Sequence, residues 1–253
     1  MKYPSLVRSF FLAGLISLGL AVPAATAQAI RLHGGVGLAK VFEAKKAAFE
    51  AQAGVKIEVV GNGSGRGLVD LLNGQADIAM VAGPLEGVAA DVNQDKPGAV
   101  STAGLVVTAL SSSEALVCTH PSVGLKSLTD AQLRDILTGK VTNWKDVGGA
   151  DLPIKVVLPS RGDGVRVTVQ ATILQGAAYV GTAIIRNSSK DVSVVVAQLP
   201  GACTVVGKYN ISGNVVTVAT EKPIVITWAV VTKGAPAGDV KKAVETAATI
   251  VKQ

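Results

Sequence analysis

The stretch Leu128-Thr129-Asp130-Ala131-Gln132-Leu133-Arg134-Asp135-Ile136-Leu137-Thr138-Gly139-Lys140-Val141-Thr142-Asn143-Trp144 decides the reading of this chain. Thr129 is a good N-cap, and Leu133, Ile136 and Leu137 share one face of the helix it opens. Gly139 is placed to end that helix in the left-handed conformation, with Lys140 at the negative end of the dipole. The segment therefore predicts a capped helix that stops at a glycine and runs into a turn anchored by Trp144.

Around it, strands and helices alternate. Ala29 to Leu32 reads as a strand, followed by the glycine turn Gly34-Gly35-Val36-Gly37 and an amphipathic helix over Leu38 to Ala53. Val55 to Val60 alternates as a strand and leads into Gly61-Asn62-Gly63-Ser64-Gly65-Arg66-Gly67, a helix over Leu68 to Asn73, and a buried strand over Ala76 to Val81. This β-turn-α order predicts a mostly parallel sheet. Strands follow at Leu105 to Leu110 and Ala115 to Thr119, on either side of Ser111-Ser112-Ser113. Beyond the opening segment come a strand over Ile154 to Leu158, the turn Arg161-Gly162-Asp163-Gly164, a helix over Val165 to Leu174 and a strand over Ala202 to Val206. A strongly β segment over Ile224 to Val231 precedes a closing amphipathic helix over Val240 to Lys252.

The N-terminus reads as a signal peptide. Lys2 and Arg8 precede the apolar run Phe10 to Val22, and Ala25-Thr26-Ala27 supplies a cleavage site near Ala27, so the chain is expected to be periplasmic. Removing 1–27 takes two basic residues and no acid, so the formal charge falls from +6 to +4. That suits anionic solutes, but Lys and Arg are not clustered with aromatics, so no nucleic-acid partner is expected. Cys118 and Cys203, the two cysteines, are a disulfide candidate in an oxidising compartment, the alternative being two buried thiols. Their spacing and the lack of nearby histidines give no metal site and no cofactor.

Three glycine turns each follow a strand and precede a helix: 34–37, 61–67 and 162–164. Helix N-termini present unpaired N–H groups and positive dipole ends, so converging them makes an oxyanion site with little side-chain charge. The second turn lacks the Gly-Lys-Ser/Thr ending of a nucleotide loop, and Arg66 stands where a dinucleotide fingerprint needs glycine. Position 62 is Asn, so Ser64 does not sit in a Gly-x-Ser-x-Gly elbow, and with only His33 and His120 in the chain it lacks a base. No catalysis is expected.

The opening segment resembles the second lobe of the phosphate-binding proteins of ABC importers. The likeness extends through Gly54 to Val59, Gly63-Ser64-Gly65-Arg66-Gly67-Leu68, Gly74 to Ala79, Pro84-Leu85, Leu152-Pro153-Ile154, Gly162 to Arg166 and Pro200-Gly201-Ala202. It places a short helix over Val192 to Gln198 and implies an α/β chain with the type II periplasmic-binding-protein fold. That fold has two lobes with mixed, mostly parallel sheets and a cleft between them. Lobe 1 is expected over 28–110 plus 220–253, and lobe 2 over 111–219. The resemblance further implies a monomer that binds phosphate or a related oxyanion between the lobes and delivers it to an ABC permease in the inner membrane. The ligand would be held by Gly35, Val36, Ser64, Gly65 and Arg66 from one lobe and by Asp163, Gly164, Val165 and Arg166 from the other.

The chain departs from the family where ligand chemistry is concentrated. Gly35-Val36 replaces Ser or Thr, Val81-Ala82-Gly83 replaces a polar residue before Pro-Leu, and Pro159 stands where arginine is expected. Asp163 replaces a hydroxyl, and most simply caps the following helix. A carboxylate at ~4 Å from an anion, at an effective dielectric near 20, repels it by about 4 kcal/mol. Sharing a proton with the ligand would turn this into discrimination against sulfate. Two other functions keep a place: the same fold with another ligand or a sensing or envelope interaction, and, remotely, an exported serine hydrolase using Ser64.

Overall fold

The computed structural model describes residues 28–252, so the expected signal segment lies outside the described residues. Strand β1 (Ile30–Gly34) leads to helices α1 (Val36–Ala44) and α2 (Lys46–Ala53), then to β2 (Ile57–Gly61), α3 (Ser64–Leu72), β3 (Ile78–Ala82) and α4 (Leu85–Asp95). The long strand β4 (Leu105–Thr119) carries the chain onward to β5 (Ser127–Leu128), α5 (Asp130–Thr138), β6 (Lys155–Pro159), α6 (Gly164–Thr172) and β7 (Ile184–Arg186). The remaining elements are α7 (Ser189–Gln198), β8 (Ala202–Gly207), β9 (Val216–Thr220), β10 (Ile224–Lys233) and α8 (Gly238–Ile250).

The strands run in the order β2-β1-β3-β10-β4-β8-β6-β7, with β9 on β4 and β5 on β9. Two parallel sets, β2-β1-β3 and β8-β6-β7, flank the antiparallel pair β10-β4, which belongs to both halves. Where the halves meet, the β4–β10 register slips between Trp228 and Ala229, leaving Leu110 as the extra residue of a bulge. The expectation of two strands separated by the serines gives way to one strand of 15 residues. No Gly or Pro interrupts Ser111-Ser112-Ser113, and β10 supplies all three with backbone partners.

The helix expected over 38–53 is broken at Lys45, so that α1 lies on β2 while α2 lies on α8. Gln52 Nε2 donates to Thr249 Oγ1 at 2.9 Å and Lys45 Nζ to Ile250 O at 3.0 Å across the second contact. Phe42 and Phe49, both fully buried, meet edge to face at 5.5 Å beneath them. α3 starts at Ser64, four residues before the expected Leu68. Its glycines lie in the first helical turn because backbone crowds them: a Cβ on Gly67 would fall 2.5 Å from His33 O.

α5 forms as the sequence predicts. Gln132 N donates to Thr129 Oγ1 at 3.1 Å, Thr129 N donates to Gln132 Oε1 at 2.9 Å, and Gly139 closes the helix at φ +81°. Trp144 is fully buried, and its Nε1 donates to Gly201 O at 2.8 Å, tying the turn after α5 to the start of β8.

The disulfide candidate is corrected. Cys118 and Cys203 sit on adjacent strands, but Cys118 is paired with Thr204 and Cys203 with Thr119. Neighbouring residues of a strand point to opposite faces, so the two thiols lie on opposite sides of the sheet and in separate apolar clusters. Both are buried and free, and burial pushes each thiol up to about 12. The native protein is expected to resist a maleimide at pH 8 at both positions and to react at both in denaturant, measured by intact mass; rapid labelling of the folded protein would contradict this placement.

Candidate functional site

Four helix N-termini converge where the two halves of the sheet face each other. α1, α3 and α6 are the three foreseen from the glycine turns; α7 is the fourth. Between them lies a chamber of about 30 Å³ whose walls include Gly35, Val36, Ser64, Asp163, Gly164 and Ser189. Roughly 10–15 Å³ holds one water, so the chamber suits a group of a few heavy atoms. A cleft of about 420 Å³ adjoins it, sharing Val36, Asp163 and Ser189 and including Asn62, Gly65, Arg66 and Arg161.

Glycine lets the backbones come this close. Gly34, at φ +139°, has no room for a side chain, since a Cβ would lie 2.1 Å from Met80 O. Gly35 N donates to Met80 O at 2.7 Å, which sets the first turn against β3. At the second turn, Gly63 N donates to Gly34 O at 2.8 Å, while Asp70 Oδ2 lies 2.8 Å from both His33 Nδ1 and Asn62 Nδ2. His33 thus braces the turn through α3. Across the cleft, Gly65 N donates to Gly162 O at 2.9 Å, and a Cβ on Gly164 would lie 1.8 Å from Ala82 O. The two halves are in direct contact around the chamber.

Ser64 is 2 % exposed and its Oγ accepts from Ala82 N at 3.0 Å. The hydroxyl hydrogen therefore remains available to an anion. Among the described residues no histidine is hydrogen-bonded to it; the Nδ1 of His33 faces Asp70, and that of His120 accepts from Ser122 N at 3.0 Å. Asp163 caps α6 as the sequence suggests, its Oδ1 accepting from Val165 N at 3.0 Å and Arg166 N at 3.1 Å. Burial holds its carboxyl above the usual range, against the opposing pull of those two N–H groups, Ser189 and the Arg166 charge. Two donors of α6 are thus already engaged, while α1 and α3 start at glycines that make no side-chain cap.

The structure brings Gly35, Val36, Ser64, Asp163, Gly164 and Val165 to the chamber, and Gly65 and Arg66 to the adjoining cleft. Arg166 reaches neither. It lies two residues beyond Gly164, about 200° round the helix, and so points away from the chamber. Its Nη1 donates to Pro159 O at 3.1 Å, its guanidinium lies 5.2 Å from the Tyr179 ring centre, and the Tyr179 hydroxyl donates to Arg166 O at 2.8 Å.

Sequence reasoning missed Ser113, Ser189 and Asn210 in the chamber and Asp91 behind it. Ser188-Ser189 ahead of an acidic first turn is a cap signal, and Ser188 Oγ does accept from Lys190 N at 3.1 Å. Asp91 belongs to α4, whose Leu85, Val88, Ala89 and Val92 recur at helical spacing. Among the described residues no cluster of His, Cys, Asp and Glu could hold a metal, and no helix is long and apolar enough to cross a membrane.

A model of the PBP superfamily domain matches residues 21–250. The phosphate-binding protein PstS of Bacillus subtilis strain 168 is 28% identical over 162 residues, 64% of this chain and 51% of that protein. The chain thus spans about half the length of this curated relative. A putative phosphate ABC transporter substrate-binding protein from Clostridium perfringens, solved with bound phosphate, has a TM-score of 0.73 at 24% identity, covering 87% of this chain and 92% of that one. An ABC-type phosphate transport receptor from Vibrio cholerae has a TM-score of 0.62 at 21% identity, covering 86% and 93%. At these identities the likeness establishes the fold: two lobes, mixed sheets and a cleft.

Proposed function

The chain belongs to the family of PBP superfamily domains, and from that premise we propose that it is an exported solute-binding protein that holds phosphate or a related oxyanion and passes it to an ABC permease. The observation that carries this reading is the convergence of four helix N-termini, with the free hydroxyl hydrogen of Ser64, on a chamber of about 30 Å³. Such a chamber favours a compact anion, with the adjoining cleft of about 420 Å³ as its approach. The lobes are taken as 28–110 with 220–253, and 111–219, the strands β4 and β10 linking them. Ligand contacts are assigned to Gly35, Val36, Ser64, Gly164 and Val165, with Gly65, Arg66 and Asp163 at the mouth. Arg166 is assigned a supporting place behind α6. The protein acts as a monomer in the periplasm after cleavage near Ala27, and carries out no catalysis.

Isothermal titration of the mature protein at low salt, with phosphate, arsenate and sulfate, tests the reading. Saturable phosphate binding at micromolar concentration or below is expected, and at a hundredfold excess over Kd phosphate should stabilise the fold by about 2.7 kcal/mol. No heat and no thermal shift would reject it. Ser64→Ala should weaken phosphate by about tenfold or more, a charge-assisted hydrogen bond contributing ~1.5–3 kcal/mol. Unchanged affinity would remove Ser64 from the site.

A second reading keeps the fold and changes the ligand or makes the surface a partner-binding one. It is favoured by Asp163, whose carboxylate already occupies two N–H groups of α6, and by Pro159 where the resembled family carries arginine. An importer component should be encoded beside permease and ATPase genes, and a sensor should not.

A further inference from the structure

Ser113 enters the chamber from β4 and Asn210 from the turn after β8, where its amide meets Ser189 at the start of α7. Ser113 is 7% exposed and Asn210 5%. Ser113 Oγ and Asn210 Oδ1 are buried atoms of the chamber wall with no hydrogen-bond partner. The rest of Asn210 is well held: its Nδ2 donates to Ser189 Oγ at 3.3 Å and its carbonyl accepts from Ser193 Oγ at 3.1 Å. Ser193 holds the main chain of Asn210, and because Ser189 gives its own hydroxyl hydrogen to Asp163, Ser189 Oγ can only accept from Nδ2, which leaves Oδ1 over. A buried polar atom without a partner is costly, and two in one small chamber call for a common explanation.

We infer that Ser113 and Asn210 are ligand-binding residues, the hydroxyl of Ser113 donating to an oxyanion oxygen and Oδ1 of Asn210 accepting a hydrogen from the ligand. This rests on the oxyanion-binding reading and narrows it. An amide oxygen can only accept, so the bound species carries at least one O–H. The class that fits a chamber of about 30 Å³ is a tetrahedral oxyanion bound in a protonated form, hydrogen phosphate or hydrogen arsenate. Ser113 and Ile226 face each other across β4 and β10, so the contact places ligand against the two strands that join the lobes.

The test compares wild type, Ser113→Ala and Asn210→Ala by titration with phosphate and with fluorophosphate, a dianion of similar shape that has no O–H to give, and records thermal unfolding without ligand. Ser113→Ala should weaken phosphate at least fivefold while leaving the ligand-free melting temperature unchanged or higher, since an unpartnered hydroxyl is removed. Asn210→Ala should weaken phosphate at least tenfold and shrink the preference for phosphate over fluorophosphate at least threefold. Phosphate affinities within twofold of wild type in both variants overturn the assignment, and an unaltered preference in Asn210→Ala overturns the role given to its oxygen. Should Asn210→Ala fail to fold, Ser113→Ala decides whether the wall binds ligand, and Asn210→Leu, which keeps the shape and removes the acceptor, replaces it in the preference test. Wild type that binds no phosphate at all defeats the underlying reading instead.

Discussion

Asp91→Ala is expected to cost ~3–5 kcal/mol of stability, because it leaves buried charge without its partner. Asp91 lies on α4, which packs against α3 and α6, and its side chain is 4% exposed. Oδ1 accepts from Arg161 Nη1 at 2.9 Å, Oδ2 accepts from Gly162 N at 2.7 Å, and Arg166 Nε lies 3.7 Å from Oδ2. One carboxylate thus clasps the β6–α6 turn of the opposite half through three groups. Its neighbour Asp95 also pairs with Arg161, at 2.9 Å, but is well exposed, so Asp95→Ala should cost about 0–1 kcal/mol. Urea unfolding of the two variants side by side checks the contrast. Because the clasp spans the cleft, Asp91→Ala should also expand the protein in small-angle scattering, whereas Asp91→Asn, which keeps an acceptor for Gly162 N, should expand it less. A cost under about 1 kcal/mol for Asp91→Ala would show that the clasp does not hold the halves together.

The parts of the fold governed by local rules were legible. Thr129, Gln132 and Gly139 announce α5 through its caps, and three of the four helix N-termini of the site stand behind glycine turns that the sequence displays. What escaped depends on residues far apart in the chain. The continuity of β4 through three serines comes from pairing with β10, more than a hundred residues later. Asp91 carries no local sign of its role, since its partners lie 70 and more residues away. Arg166 stands beside the site in sequence but on the far side of α6 in space, where Pro159 and Tyr179 receive it. The chamber wall formed by Ser113 and Asn210 is equally a product of the β4–β10–β8 arrangement. Asp163 as the cap of α6, by contrast, was legible because it stands in a turn that the sequence displays.

Replacing Asp163 by Asn should admit sulfate. The carboxylate caps α6, and its charge opposes any anion brought to the same N-terminus. At ~4 Å and an effective dielectric near 20 the repulsion is about 4 kcal/mol, roughly three orders of magnitude in Kd. Dihydrogen phosphate escapes it, with one hydrogen for Asn210 and a second to share with the carboxylate; sulfate has none to share. Asparagine caps a helix about as well as aspartate, so the start of α6 should survive the change. Asp163→Asn is therefore expected to tighten sulfate by about a hundredfold or more and to make phosphate affinity far less dependent on pH. In wild type that affinity should fall as pH rises and the shared proton is lost. Stability gives an independent readout. Burial raises the Asp163 carboxyl above its unfolded value, so the folded form binds more protons between the two values, and stability declines as pH rises through that window. Above it the penalty is constant, below it absent, and in Asp163→Asn this contribution disappears. If sulfate binding is unchanged while the pH dependence of stability flattens, Asp163 is a helix cap whose charge the ligand does not feel, and the anion must sit nearer α1 and α3 than α6.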